Sequence, residues 1–186
     1  GPATGGCCLP GPPGPLTAPG PASIKEGMPE KRLPAGVVQH PSAPAVPGYV
    51  LTLPLARGAS SEVWKAWQER TGKEVALKVL KGLGEDERAA LRAGVDRLIK
   101  LDRHPNVVAA LDADLTGEPA WVVTDLLEAG SLQTRIDSGK PASADEAARW
   151  LEETARALTY VHGRGVFHGN LKPSNILLDE EGRPRL

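Results

Sequence analysis

Cysteine is almost missing from this sequence. Two of the 186 residues are cysteines, the neighbours Cys7 and Cys8, and such a pair is too close for an ordinary bridge and remote from any expected core. That excludes a disulfide framework and favours a reducing, cytoplasmic setting. An excess of charge of one sign is missing as well. The 22 Lys and Arg residues against 23 Asp and Glu give a formal net charge of -1, which leaves no basic face for nucleic acid. Nor does any run approach the roughly 18 apolar residues of a membrane-spanning helix, so a soluble protein is expected. The stretch Thr4-Gly5-Gly6-Cys7 has the form of a lipoprotein cleavage site, but no apolar segment precedes it, which argues against a signal peptide. The length suits one globular domain and not two. Because the first residue is not methionine, the chain is read as part of something longer.

Proline and glycine are what the N-terminal part has in quantity. They dominate residues 1 to 47, where no helical or strand period can be found. Proline fixes its own φ, and too few apolar groups are present to offset the entropy of ordering. A disordered linker is expected there, a spacer in preference to a proline-rich ligand for a recognition module.

The composition changes at Gly48-Tyr49. Three short strands are expected at "YVLTLPLA", "SEVWKAWQ" and "EVALKVL", with Thr71-Gly72-Lys73 turning the second into the third. A helix follows at "EDERAALRAGVDRLIKL", on the spacing of Leu91, Val95, Leu98 and Ile99, with Gly94 costing it about 1 kcal/mol against Ala. Two more strands come at "NVVAALDADL" and "AWVVTDLL". A long helix opens on the capping box Ser143 to Glu146 and carries Ala147, Trp150, Leu151, Thr154, Ala155, Leu158 and Val161 on one face, stopping at Gly163. This order predicts an α+β architecture, a small antiparallel sheet with one helix followed by a helical part.

Chemistry-bearing residues fall at three places along that order. On the third strand Lys78 shares a face with Ala76, opposite Val75, Leu77 and Val79, and must reach water or an anion. By itself it reads as a snorkelling surface lysine. Upstream, "LARGASSEV" joins two strands with glycine at its tip, the kind of hairpin whose N–H groups can cover phosphates. Downstream, "HGNLKPSNILL" offers Lys172 to a phosphate and the Asn175 carbonyl oxygen to a hard cation such as Mg²⁺. Each of these alone reads as an ordinary loop residue. All three in one order point to phosphate chemistry.

From Tyr49 to Leu186 the chain resembles the first half or more of a protein kinase domain of the bacterial serine/threonine type. The resemblance rests on "LARGASSEVWKA", "VALK", "HPNVV", "WVVTDLLEAGSL" and "HGNLKPSNILL". It implies an N-lobe over residues 48 to 125, then a hinge and the start of a C-lobe over 126 to 186. Lys78 would hold the α- and β-phosphates of ATP. Leu55, Gly58, Val63 and Ala76 would surround the nucleotide, with Thr124 as gatekeeper and the backbone of Asp125 to Leu127 holding the adenine. Asn170 would occupy the catalytic position, Lys172 would touch the transferred group, and Asn175 would ligate Mg²⁺. Lys172 is what serine/threonine kinases carry there, which implies protein serine or threonine as substrate.

The departures from that pattern fall on the machinery. The three loop glycines correspond to Ala56, Gly58 and Ser61, so one survives, and weakened nucleotide binding is expected. The helix glutamate that would pair with Lys78 corresponds to Gly94, with Asp96 or a residue outside the motif as the alternative partner. Gly169 stands where an arginine would read a phosphorylated activation loop. Asn170 stands where an aspartate would accept a proton, and an amide cannot usefully do so; general base catalysis is worth typically about 10²- to 10⁴-fold. The expected function is a kinase-like, ATP-binding domain with weak or no phosphoryl transfer, acting through contacts with a protein substrate or signalling partner. The alternatives are an active serine/threonine kinase and an interaction module that binds no nucleotide. The sequence ends before the metal-binding Asp-Phe-Gly of the pattern, and an uncovered apolar face on the long helix is expected.

Overall fold

A computed structural model describes residue 34 and residues 36–186. The remainder of the proline-rich segment expected to be disordered lies outside the described residues.

Five antiparallel strands form one sheet in the order β1-β2-β3-β5-β4. They are β1 (Tyr49–Arg57), β2 (Ser61–Gln68), β3 (Lys73–Leu80), β4 (Ala110–Asp114) and β5 (Ala120–Asp125), with helix α1 (Glu85–Ile99) between β3 and β4. The period-two alternation of the sequence sorts the two faces. Leu51, Trp64, Leu77 and Val123, one from each of four strands, are 0% exposed and make the core of the outer face. On the other face Val95 of α1 meets Leu115 and Ala120, with Leu80, Leu83 and Val122 packed around them.

The outer face is covered by residues expected to be linker. Val46 is 5% exposed and joins the core, with Ala43 packed beside it. The His40 N–H donates to the Leu51 carbonyl (2.7 Å), and the Leu51 N–H donates to Gln39 Oε1 (2.9 Å). The linker boundary at residue 47 is therefore corrected: residues 37–47 form a strap on the sheet. Composition missed it because a strap needs only a few apolar contacts and edge hydrogen bonds, not a period.

Helix α1 begins without a Ser or Thr cap. Glu87 instead accepts from the Gly84 N–H (3.0 Å), and Glu85, Asp86 and Glu87 put negative charge in the first turn. Arg88 then fastens the helix to the β4–β5 turn, donating to the carbonyls of Leu115 (3.3 Å) and Gly117 (3.1 Å) and pairing with Glu118.

Beyond β5, a six-residue helix α2 (Leu132–Asp137) is capped by Ser131, which accepts from the Thr134 N–H (3.2 Å). It is too short to show a period, and the sequence did not predict it. Helix α3 (Ala144–His162) opens at Ser143 as expected, with the Glu146 N–H donating to its hydroxyl. Its packed row is Thr154, Ala157 and Val161, while Leu151 is 72% exposed and Ala155 is exposed too. The predicted face is thus corrected by about one row. Trp150 fixes the rotation by donating its indole N–H to the Gly182 carbonyl (2.9 Å), in the turn between β6 (Leu177–Leu178) and β7 (Pro184–Arg185).

Candidate functional site

The inner face of the sheet gathers the predicted strand residues. In register, Val63 of β2 and Val122 of β5 lie opposite Lys78 from either side, and Lys65 and Thr124 lie opposite Ala76. Residues opposite one another in an antiparallel pair share a face. Val63, Ala76, Lys78 and Thr124 therefore line one surface. Leu55 sits at an irregularity of β1, between the pairs Pro54–Trp64 and Ala56–Val63, and is 45% exposed.

The hairpin tip is Gly58-Ala59-Ser60. The Gly58 N–H donates to the Ser61 carbonyl (2.8 Å), closing the turn, and a Cβ on Gly58 would lie 3.4 Å from that oxygen. Lys78 is exposed and forms no ion pair among the described residues. Gly94 lies half-buried on α1, and a Cβ there would meet nothing within 4 Å.

The chain leaving β5 closes one side of this surface. Asp125 extends its carboxylate to Arg103 (3.3 Å). The Leu127 N–H and C=O make no hydrogen bond among the described residues, so both remain open to a ligand edge. Next to it, Glu128 pairs with Lys65 (2.8 Å), which also pairs with Glu74 (3.0 Å). That clasp between β2 and the post-β5 segment was not foreseen; alternation alone puts Lys65 on the face of Val63 and was the available signal.

The loop after α3 presents the rest. Gly169 has φ +69°, in the left-handed region, and a Cβ there would have open space around it. Backbone conformation, not crowding, favours glycine at this position. Asn170 and Lys172 are exposed, and Asn175 ends a 3-10 turn opened by Pro173. The Asn175 Nδ2–H donates to the Asn170 carbonyl (2.8 Å), which leaves Asn175 Oδ1 free for a cation.

His168 is the residue the sequence reading passed over. Its Nδ1 is buried without a partner among the described residues. Burial, then the charges of His162 and Lys78, hold its imidazole below the ordinary range. Among the described residues no three His, Cys, Asp or Glu side chains gather where they could hold a metal, so Asn175 Oδ1 would be a single protein ligand. One amide oxygen suits a hard cation whose other ligands are phosphate oxygens and water. The apolar surface of Val63 and Ala76, the open Leu127 backbone and the Lys78 charge are of the kinds a nucleoside triphosphate meets in a binding site. No helix among the described residues is long and apolar enough to cross a membrane.

Comparison with known proteins agrees in extent with this architecture. The family model for the protein kinase domain matches residues 49–186. A CBL-interacting protein kinase 22 of Oryza sativa is 34% identical over 156 residues, covering 74% of this chain and 35% of that protein. The serine/threonine-protein kinase PkaA of Streptomyces coelicolor is 35% identical over 147 residues, 72% of this chain and 27% of that protein. A CBL-interacting serine/threonine-protein kinase 15 of Arabidopsis thaliana is 32% identical over 139 residues, 71% of this chain and 32% of that protein. The chain thus spans about a third of the length of these relatives.

Proposed function

This chain belongs to the protein kinase family, and from that premise we propose that it binds ATP with Mg²⁺ beneath the sheet and transfers phosphate weakly or not at all, serving as a docking domain for a protein partner. The observation that carries this reading is Asn170. Its amide can orient a substrate hydroxyl by hydrogen bonding, but it takes up no proton at neutral pH. Lys78, which forms no ion pair among the described residues, attracts the phosphate oxygens but is less firmly aimed than a paired lysine. Asn175 holds the loop by its Nδ2–H and turns Oδ1 to the cation. When bound, Mg²⁺ neutralises phosphate charge. Lys172 places a cation beside the group to be transferred.

The test separates binding from transfer. In the full-length protein that contains this chain, titration with a fluorescent ATP analogue is expected to give micromolar to millimolar affinity, and Lys78→Met to weaken it at least roughly tenfold. Transfer of radiolabelled γ-phosphate to a protein substrate is expected to be barely detectable. Robust transfer that survives Asn170→Ala would establish an active serine/threonine kinase instead, and absence of nucleotide binding would leave only the docking module.

A further inference from the structure

The strap over the outer face carries a serine placed against an unpaired arginine. Ser42 is exposed, in a turn just after Pro41. Its hydroxyl oxygen accepts from Arg57 Nη2 (3.3 Å) and lies 3.1 Å from His40 Nδ1. Arg57 ends β1 and adjoins Gly58, so it belongs to the hairpin over the inner site. Its guanidinium stands 5.6 Å over the Trp64 ring and forms no ion pair among the described residues. Glu62, opposite Arg57 in the hairpin, pairs instead with Lys81 (2.7 Å). A cavity of about 570 Å³ opens beside Ser42, lined also by Pro41, Ala43, Glu62 and Lys81.

We propose that Ser42 is a phosphorylation site, and that its phosphate is received by Arg57 to latch the strap to the hairpin. A guanidinium has five donors in a planar fork, and here one of them is spent on a neutral hydroxyl. A phosphate on the same oxygen brings close to two negative charges and three acceptor oxygens to that fork, and the hydrogen bond becomes charge-assisted. The cavity gives the tetrahedral group room without displacing Val46 from the core. Lys81 also lines the cavity, and the cavity's two carboxylates already have cationic partners, Glu62 in Lys81 and Glu118 in Arg88.

In the modifying step Ser42 Oγ forms a bond to the γ-phosphorus of a nucleoside triphosphate held by a serine/threonine kinase. The bond from that phosphorus to the bridging oxygen breaks, the nucleoside diphosphate leaves, and the hydroxyl proton passes to the kinase's base or to water. Any serine/threonine kinase can supply the group, so the inference stands apart from the reading of the inner site. The latch ties the strap to the strand that leads into Gly58, and phosphorylation stiffens that hairpin from outside.

Phosphoserine placed at position 42 by genetic encoding tests the latch in the full-length protein. Amide exchange over residues 37–47 is expected to slow roughly tenfold relative to the unmodified chain, and the slowing to vanish with Arg57→Ala and to shrink with Arg57→Lys. Exchange that is unchanged or faster, or slowing that survives Arg57→Ala, overturns the latch. Mass spectrometry of the protein from the cells that make it is expected to find the Ser42 phosphopeptide in some growth condition. Recovery of that peptide only unmodified, in every condition, overturns the site.

Discussion

Asn175 reaches back five residues to donate its side-chain N–H to the backbone carbonyl of Asn170, 2.8 Å away. The contact uses the backbone of residue 170, not its side chain. The loop frame is therefore indifferent to which side chain stands there, and Asn170 can be exchanged without disturbing Lys172 or Asn175.

Asn170→Asp is expected to raise phosphoryl transfer in the full-length protein by about 10- to 100-fold, measured with radiolabelled ATP. This falls at or below the lower end of the general-base range because Lys78 still has no ion-pair partner among the described residues. Asn175→Ala is expected to lower transfer in that background by removing both the loop closure and a cation oxygen. An Asn170→Asp protein no faster than its parent would show that proton transfer is not what limits it.

Gly94→Glu follows from the open space around Gly94. Replacing a helix-interior glycine is expected to stabilise the chain by about 0.5 kcal/mol, read from the thermal midpoint. Combined with Asn170→Asp it is expected to raise transfer by more than the product of the single effects, as groups acting on one phosphoryl unit do. Simple multiplication of the two effects would place Gly94 out of reach of Lys78.

His168 is expected to titrate below the ordinary histidine value in an NMR titration, chiefly through burial and then through the charges of His162 and Lys78. Lys78→Met should raise it while leaving the burial effect in place. A group whose folded pKa is depressed contributes stability that is fully present above its unfolded value, about 6.5, and lost as pH falls through the lower folded value. Stability is therefore expected to decline on acidification below about pH 6.5, and His168→Gln to flatten that decline. A titration unmoved by Lys78→Met would separate the strand from the loop.

Arg88→Ala is expected to destabilise the chain by about 1.5 to 3 kcal/mol in urea unfolding. It deprives the Leu115 and Gly117 carbonyls of a charged donor and frees α1 from the β4–β5 turn. Arg88→Lys should recover only part, since one ammonium cannot span both carbonyls and Glu118. A change below about 0.5 kcal/mol would assign the hold on α1 to Val95 alone.

Val46→Ala is expected to cost about 1 to 2 kcal/mol, because Val46 is 5% exposed in the outer core. An unaltered midpoint would return residues 37–47 to the status of a spacer.

The sequence by itself determined the five strands, the first and the long helix and the Ser143 cap, because alternation, helical spacing and capping are local and each element carries its own period. It also singled out candidates by residue type and spacing, Lys78 and Lys172 for phosphate, Asn175 for a cation and Asn170 for the catalytic position. Only the tertiary structure decided what those residues touch. Whether Lys78 has a partner depends on how α1 packs over the sheet, and that packing is set by Arg88 and Val95, residues with no motif. The hydrogen bond from Asn175 to Asn170 and the shifted imidazole of His168 depend on a loop whose φ values no period reports. The strap is the clearest case. Its few apolar side chains look like solvent-facing linker until an apolar sheet face exists for Val46 to cover, and burial is a property of two surfaces that no single stretch of sequence contains.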